Sequence, residues 1–195
     1  SSDLEYINYE GKHESIAQFE SIKERTIVIN GLSKGYAMTG WRVGYIAAPV
    51  AIAKACEKLQ GQFTSATNSI AQRAAIVALT GDMKPTMEML AAFKMRRARV
   101  MELLSEIPGI ICSEPPGAFY VFPNVKFYFG KKSPSGEIIT NADDLSMYLL
   151  NTAHVSTVTG SAFGEPDCIR MSFANSIVNI ERGFAKLKKA LSELQ

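Results

Sequence analysis

The sequence is short of the residues that build metal centres and disulfide scaffolds. Its three cysteines, Cys56, Cys112 and Cys168, are odd in number, far apart and in no C-x-x-C pair, which argues against a disulfide framework and a zinc knuckle. Two histidines, His13 and His154, give little basis for a multi-histidine metal centre or a Ser-His-Asp hydrolase. Charge of either sign is nearly balanced, 21 Lys+Arg against 19 Asp+Glu for a net +2, so nothing electrostatic points to nucleic acid or a membrane surface as partner. No apolar run approaches the roughly 20 residues that span a bilayer, and the polar opening SSDLEYINYEG lacks the regions of a secretory leader. These absences set a soluble protein in the cytoplasm as the expectation. What is present is a hydrophobic content of 47% over 195 residues. A chain of that length buries roughly 70% of its unfolded surface, enough for one sizeable core or two small ones.

Two β-branched apolar runs, Thr26 to Ile29 and Val43 to Ala48, predict strands buried on both faces of a sheet. Pro49 opens a helix in which Ile52, Ala55, Cys56 and Leu59 recur at spacings of three and four, with Gly61 as its expected stop. A second helix is expected over Ser69 to Leu79, an order typical of α/β proteins. Asp82 is placed to cap a long helix from about Lys84 to Ile107, with Leu90, Phe93, Val100, Leu103, Leu104 and Ile107 in one stripe. Its basic cluster Lys94, Arg96, Arg97 and Arg99 reads as a solvated face, because Glu88 and Glu102 flank it and no aromatics interleave.

Beyond Pro108-Gly109 the pattern turns strand-like at Ile110 to Cys112 and Gly117 to Pro123, and Phe129 to Thr140 reads as a surface loop. A helix is expected over Ala142 to His154 with Leu145, Leu149 and Leu150 inward. Strands follow at Val155 to Thr159 and Cys168 to Phe173, then an amphipathic helix from Val178 to Leu194. Three regions result: 1–83 of α/β character, a connecting helix 84–108, and a small α+β unit 109–195 with its own core.

Chemistry concentrates in Asn30 to Tyr45, NGLSKGYAMTGWRVGY. Ser33-Lys34 directly follows a predicted strand and Arg42 enters the next. A lysine at the edge of a buried strand is partly desolvated, which favours the neutral amine and makes it a candidate Schiff-base former. Arg42, with the Ser33 hydroxyl, offers a fork of donors to a phosphate. Amine and phosphate anchor together are what pyridoxal phosphate needs. Spacing alone leaves open an exposed loop lysine and a sheet-edge arginine in ordinary salt bridges. The stretch is not a P-loop, since G-x-x-x-x-G-K-[ST] is absent.

In the strand CIRMSF, Cys168, Arg170 and Ser172 face one side, and Ile169, Met171 and Phe173 the core. Arg170 can bind a carboxylate through two N–H groups, although taken alone a structural ion pair explains it better. In PPGAFYVF, Gly117 permits close backbone approach, while core packing is the simpler reading of Phe119 and Tyr120.

Taken together, S-K-x-x-x-M-T-G-W-R-x-G-Y from Ser33, then P-x-G-A-F-Y and I-R-M-S-F-A, resemble the fold-type I, class I aminotransferases of the aspartate aminotransferase family. The motifs occur in the family's order and the likeness runs from about residue 5 to the C-terminus. It implies an α/β fold, the C-terminal part of the large cofactor-binding domain followed by the small domain. It also implies that Lys34 joins pyridoxal 5′-phosphate as a Schiff base and shuttles the substrate proton, that Ser33 and Arg42 bind the phosphate, that Arg170 binds the substrate α-carboxylate, and that Gly117 and Phe119 line the substrate pocket. The implied reaction is a ping-pong amino transfer between an amino acid, aspartate foremost, and a 2-oxo acid, in a homodimer.

The departures are specific. Family members are considerably longer, so a C-terminal fragment, itself inactive, is the expectation. In the register of Glu5 to Gly11, the family's cofactor-facing Asp and Tyr fall on Ser1 and Leu4, which cannot do that work, and a shifted register would use Asp3 and Tyr6. Gly31 stands where several relatives carry a phosphate-touching serine. Strands whose sheet partners lie outside the chain would bare apolar faces, so self-association is expected. Two other readings remain: a sibling enzyme such as an aromatic or kynurenine aminotransferase or a β-lyase, and an aminotransferase-like ligand sensor within a transcription regulator.

Overall fold

The first strand, β1, is Val28–Gly31, two residues further along than the Thr26 to Ile29 run predicts and taking in Asn30 and Gly31, while the second run forms β2, Gly44–Ala47. They pair antiparallel, with Val28 opposite Ala47 and Gly31 opposite Gly44, in the computed structural model, which describes residues 6–195. Ser1, Asp3 and Leu4, on which the two cofactor-facing registers turn, lie outside the described residues. The strands are not buried on both faces as their composition predicts: Ile29 is 64% exposed and Ile46 39%. Among the described residues the sheet has only these two strands, and β-branched composition reports a strand's preference for cover without supplying it.

Helix α1, Val50–Phe63, begins after Pro49 and runs past Gly61 to a last-turn bond from the Thr64 amide to Gln60 O (2.9 Å). Helix α2, Ser69–Thr80, is capped by Asn68, whose Oδ1 accepts from the amides of Ile70 (2.9 Å) and Ala71 (3.2 Å). Of α2 only Ala71 is buried. The buried apolar residues of this part of the chain are few, Ile7, Tyr9, Leu32 and Met38 chief among them.

Helix α3, Lys84–Ser105, opens where Asp82 Oδ1 accepts from the Lys84 amide (2.9 Å) and ends two residues before the predicted Ile107. The chain divides into two compact units, and the division at Leu90–Ala91 falls inside this helix.

The second unit holds a three-stranded antiparallel sheet in the order β3-β5-β4: β3 is Tyr120–Val121, β4 Val158–Thr159 and β5 Ile169–Ser172. Tyr120 stands opposite Ser172, and Val158 opposite Arg170. Helices α4, Ala142–Tyr148, and α5, Ile177–Ser192, complete the unit. Val100, Leu104, Val121, Leu145, Leu149, Ile169, Phe173 and Leu187 form its core, all 2% exposed or less. The Tyr148 hydroxyl ties α4 to α5 by donating to Ala190 O (2.9 Å).

Several expectations need correction here. The backbone widens into a π turn at Leu149–Ala153, so Leu149 is buried while Leu150 turns outward at 42% exposure. Ile110 to Cys112 makes a single bridge, Ile111 to Asn124, and no strand. The Phe129 to Thr140 segment is not wholly surface: Ser133 and Ile139 are buried, and Lys132 exchanges backbone bonds with the C-terminal Gln195 (2.7 and 3.0 Å). Cys168 is buried rather than sharing an open face with Arg170. Within the basic cluster Arg97 is buried at 6% exposure.

Candidate functional site

Ser33, Lys34 and Arg42 belong to the loop that closes the β1–β2 hairpin. The ladder ends at Gly31 opposite Gly44, and one further bond, Leu32 N–H to Val43 O (3.3 Å), carries the pairing to the loop. Ser33 and Arg42 are therefore the first residues past that bond on the two sides, with Lys34 next in line. Two buried side chains hold the loop, Leu32 at 1% and Met38 at 8% exposure, and the Met38 amide returns to Leu32 O (3.3 Å). Gly44 gives the mouth its close approach: a Cβ there would stand a tight 3.0 Å from Asn30 O.

Ser33 and Lys34 are half-buried, and Lys34 O accepts from the Ala37 amide (3.2 Å). Arg42 is exposed and left-handed, φ 53°, a conformation an arginine adopts at a cost of roughly 1 kcal/mol. Its Nη1 donates to Thr39 O (2.9 Å), which aims the fork while leaving its other N–H groups for an anion. Arg42, Ala37, Gly40 and Trp41 line an open cleft of about 640 Å³ whose other wall is the amino-terminal end of α2, Ala66 to Ala71. Guanidinium and helix N-terminus both favour negative charge there.

Gly117, Phe119 and Arg170 belong to the second unit. Phe119, 8% exposed, stacks on Phe93 of α3 with centroids 5.5 Å apart and planes 21° apart, the packing role its composition suggests. Gly117 is half-buried beside Ala118, which takes a left-handed φ of 61°. Arg170 projects half-buried from β5, the central strand. Its guanidinium carbon lies 4.5 Å from the Tyr120 ring centroid and 4.4 Å from that of Phe163. Among the described residues no carboxylate forms a salt bridge with it, so the ion-pair reading of this arginine has no support in the second unit.

Among the described residues no cluster of His, Cys, Asp and Glu is able to hold a metal, and no helix is long and apolar enough to cross a membrane. The Cys112 and Cys168 thiols are pushed upward, chiefly by burial, so neither is primed as a nucleophile. Phe163 is the residue that sequence reasoning missed. It sits in a 3-10 turn, Gly160–Phe163, between β4 and β5, and no local periodicity connects it to Arg170.

The α/β arrangement and the hairpin-borne lysine and arginine define a class that comparison with known proteins makes explicit. The family model for aminotransferase class I and II matches residues 2–187, and the chain belongs to that family. It is 42% identical over 184 residues to a bifunctional aspartate aminotransferase and glutamate/aspartate-prephenate aminotransferase of Petunia hybrida, covering 92% of this chain and 38% of that protein. It is 40% identical to the aspartate aminotransferase of Rhizobium meliloti over 97% of this chain and 47% of the relative. The crystal structure of an aspartate aminotransferase from Rhizobium meliloti superposes with a TM-score of 0.94, covering 100% of this chain and 49% of that one. An aromatic aminotransferase from Pyrococcus horikoshii superposes at 0.88 with 32% identity, covering 98% and 50%. The chain thus spans half or less of the length of these relatives.

Proposed function

We propose that this chain forms part of a pyridoxal-phosphate-dependent aminotransferase that moves an amino group from an amino acid, aspartate or a close relative, to a 2-oxo acid in two half-reactions. The observation that carries the reading is the hairpin register, which brings the Ser33-Lys34 pair and Arg42 to one end of the same ladder. A primary amine, a hydroxyl and a guanidinium there fit a phosphorylated aldehyde: Lys34 offers the amine, and Ser33 and Arg42 the phosphate donors. When bound, pyridoxal phosphate supplies the conjugated ring that takes up the electron pair left by the departing Cα proton.

The chain's own residues do the rest. Lys34 Nζ anchors the cofactor, and once released carries the proton to and from the substrate. Arg42 neutralises phosphate charge and fixes the cofactor's orientation. Arg170 holds the substrate α-carboxylate, with Gly117 and Phe119 shaping its surroundings within the second unit. The whole protein is a cytoplasmic homodimer, the two strands of the first unit are covered by polypeptide beyond this chain, and the chain by itself is inactive.

The test is the visible absorbance of the full-length protein with pyridoxal phosphate, before and after an amino donor is added. The account predicts a band that an L-aspartate addition shifts and a 2-oxo acid restores, and that Lys34→Ala abolishes. A band that no donor moves would replace transamination with ligand sensing.

A further inference from the structure

Arg170 has two aromatic neighbours that its proposed role does not use. Its strand, β5, is held on both sides, by β3 through Tyr120 opposite Ser172 and by β4 through Val158 opposite Arg170 itself. The guanidinium carbon lies 4.5 Å from the Tyr120 ring centroid and 4.4 Å from the Phe163 ring centroid. Rings whose centroids lie that close to a guanidinium carbon attract the cation and restrict where it sits. Among the described residues no salt bridge takes up its N–H donors, which leaves them for a carboxylate.

Both rings are themselves braced. Tyr120 packs on Phe119 with centroids 4.6 Å apart, and Phe119 stacks on Phe93 of α3. Phe163 meets the edge of Phe122 at 6.0 Å. Its turn is tied down at Gly160, whose amide donates to Cys168 O (2.7 Å) and whose carbonyl accepts from the Glu165 amide (3.0 Å). A Cβ at Gly160 would stand 2.1 Å from Glu165 O, so the tight turn that presents Phe163 depends on glycine.

We propose that Tyr120 and Phe163 are positioning residues that clamp the Arg170 guanidinium and set the affinity of the protein for the substrate carboxylate. This rests on the reading of Arg170 as the carboxylate-binding residue. The clamp acts alike on bound substrate and on the transition state, so its loss appears in KM and not in kcat.

The experiment uses the full-length holoenzyme and two readouts: steady-state transamination of L-aspartate, and calorimetric binding of succinate, an unreactive dicarboxylate. Tyr120→Leu and Phe163→Leu are each expected to weaken succinate binding and raise KM by about three- to fivefold, with kcat within about twofold of the parent. Tyr120→Phe and Phe163→Tyr keep the rings and are expected to keep both values. Phe163 is 48% exposed, so Phe163→Leu folds even where Tyr120→Leu does not and carries the test alone. Arg170→Lys separates the two ideas. If it weakens succinate binding while the leucine variants bind like the parent, the clamp is overturned and the Arg170 reading stands. If it leaves succinate binding unchanged, the Arg170 reading falls and the clamp with it. Equal losses in the leucine and the ring-preserving variants, or a kcat that falls as far as KM rises, also overturn the clamp.

Discussion

Arg97 carries a positive charge into the interior of the second unit at 6% exposure, and its partners explain how it stays there. Its Nη1 donates to Pro115 O (2.8 Å) and its Nη2 meets Glu114 Oε1 at 3.2 Å, so one guanidinium ties α3 to the turn ahead of Gly117 and Phe119. The signal was present in the spacing. Arg97 follows Phe93 by one helical turn and falls within the stripe of Phe93, Val100 and Leu104, while the neighbouring Lys94 is exposed. Its charge alone suggested solvent. Breaking a buried charged contact removes its bonds and leaves Pro115 O unpaired. Arg97→Ala is therefore expected to destabilise the protein by roughly 2 kcal/mol, read as a lower denaturant midpoint. Lys34, Ser33, Arg42 and Arg170 stand out as candidates in the sequence because residue type and motif order carry them. Phe163 does not, because a ring contact across a turn leaves no trace in local spacing.

Helix α4 shows how an element's ends store pH dependence. Asn141 Oδ1 accepts from the Asp144 amide (2.9 Å), and the Asp144 carboxylate in turn accepts from the Thr140 amide (2.9 Å) and from the Thr140 hydroxyl. The Thr140 bonds are the main reason that the Asp144 carboxyl is held below its ordinary range. A carboxyl depressed in the folded state contributes stability above its unfolded value of about 4, and that contribution is lost as pH falls through the lower folded value. The melting temperatures of the parent and Asp144→Asn are thus expected to differ at pH 7 and to converge below about pH 4. A difference that stays constant with pH would assign the effect to packing. At this scale the long elements α1, α2, α3 and α5 were legible, since a helix writes its 3.6-residue period into its own sequence. Strands β3 and β4, of two residues each, were overestimated in length because their ends are set by partners distant in the chain, and the π turn after α4 has no pattern that separates it from a continuing helix.

For the whole molecule, the contrast between the units is itself informative. The second unit closes a core around Leu145, Leu149 and Leu187 from residues that it contains, and its α+β character could be read directly. The first leaves Ile29, Val50, Phe63, Ile70 and Val77 exposed, although their sequence is that of buried strands and helices. Residue chemistry there is that of a buried environment, which fits the proposal that further polypeptide covers it and the relatives of which the chain covers half or less.

The central claim, that the amine after β1 is the one that takes the cofactor, has a direct test. The full-length protein is loaded with pyridoxal phosphate, reduced with borohydride so that any imine becomes a stable amine, digested and mapped by mass spectrometry. The account predicts a single pyridoxyl-phosphate mark, on Lys34. A mark on another lysine, or none, would contradict it.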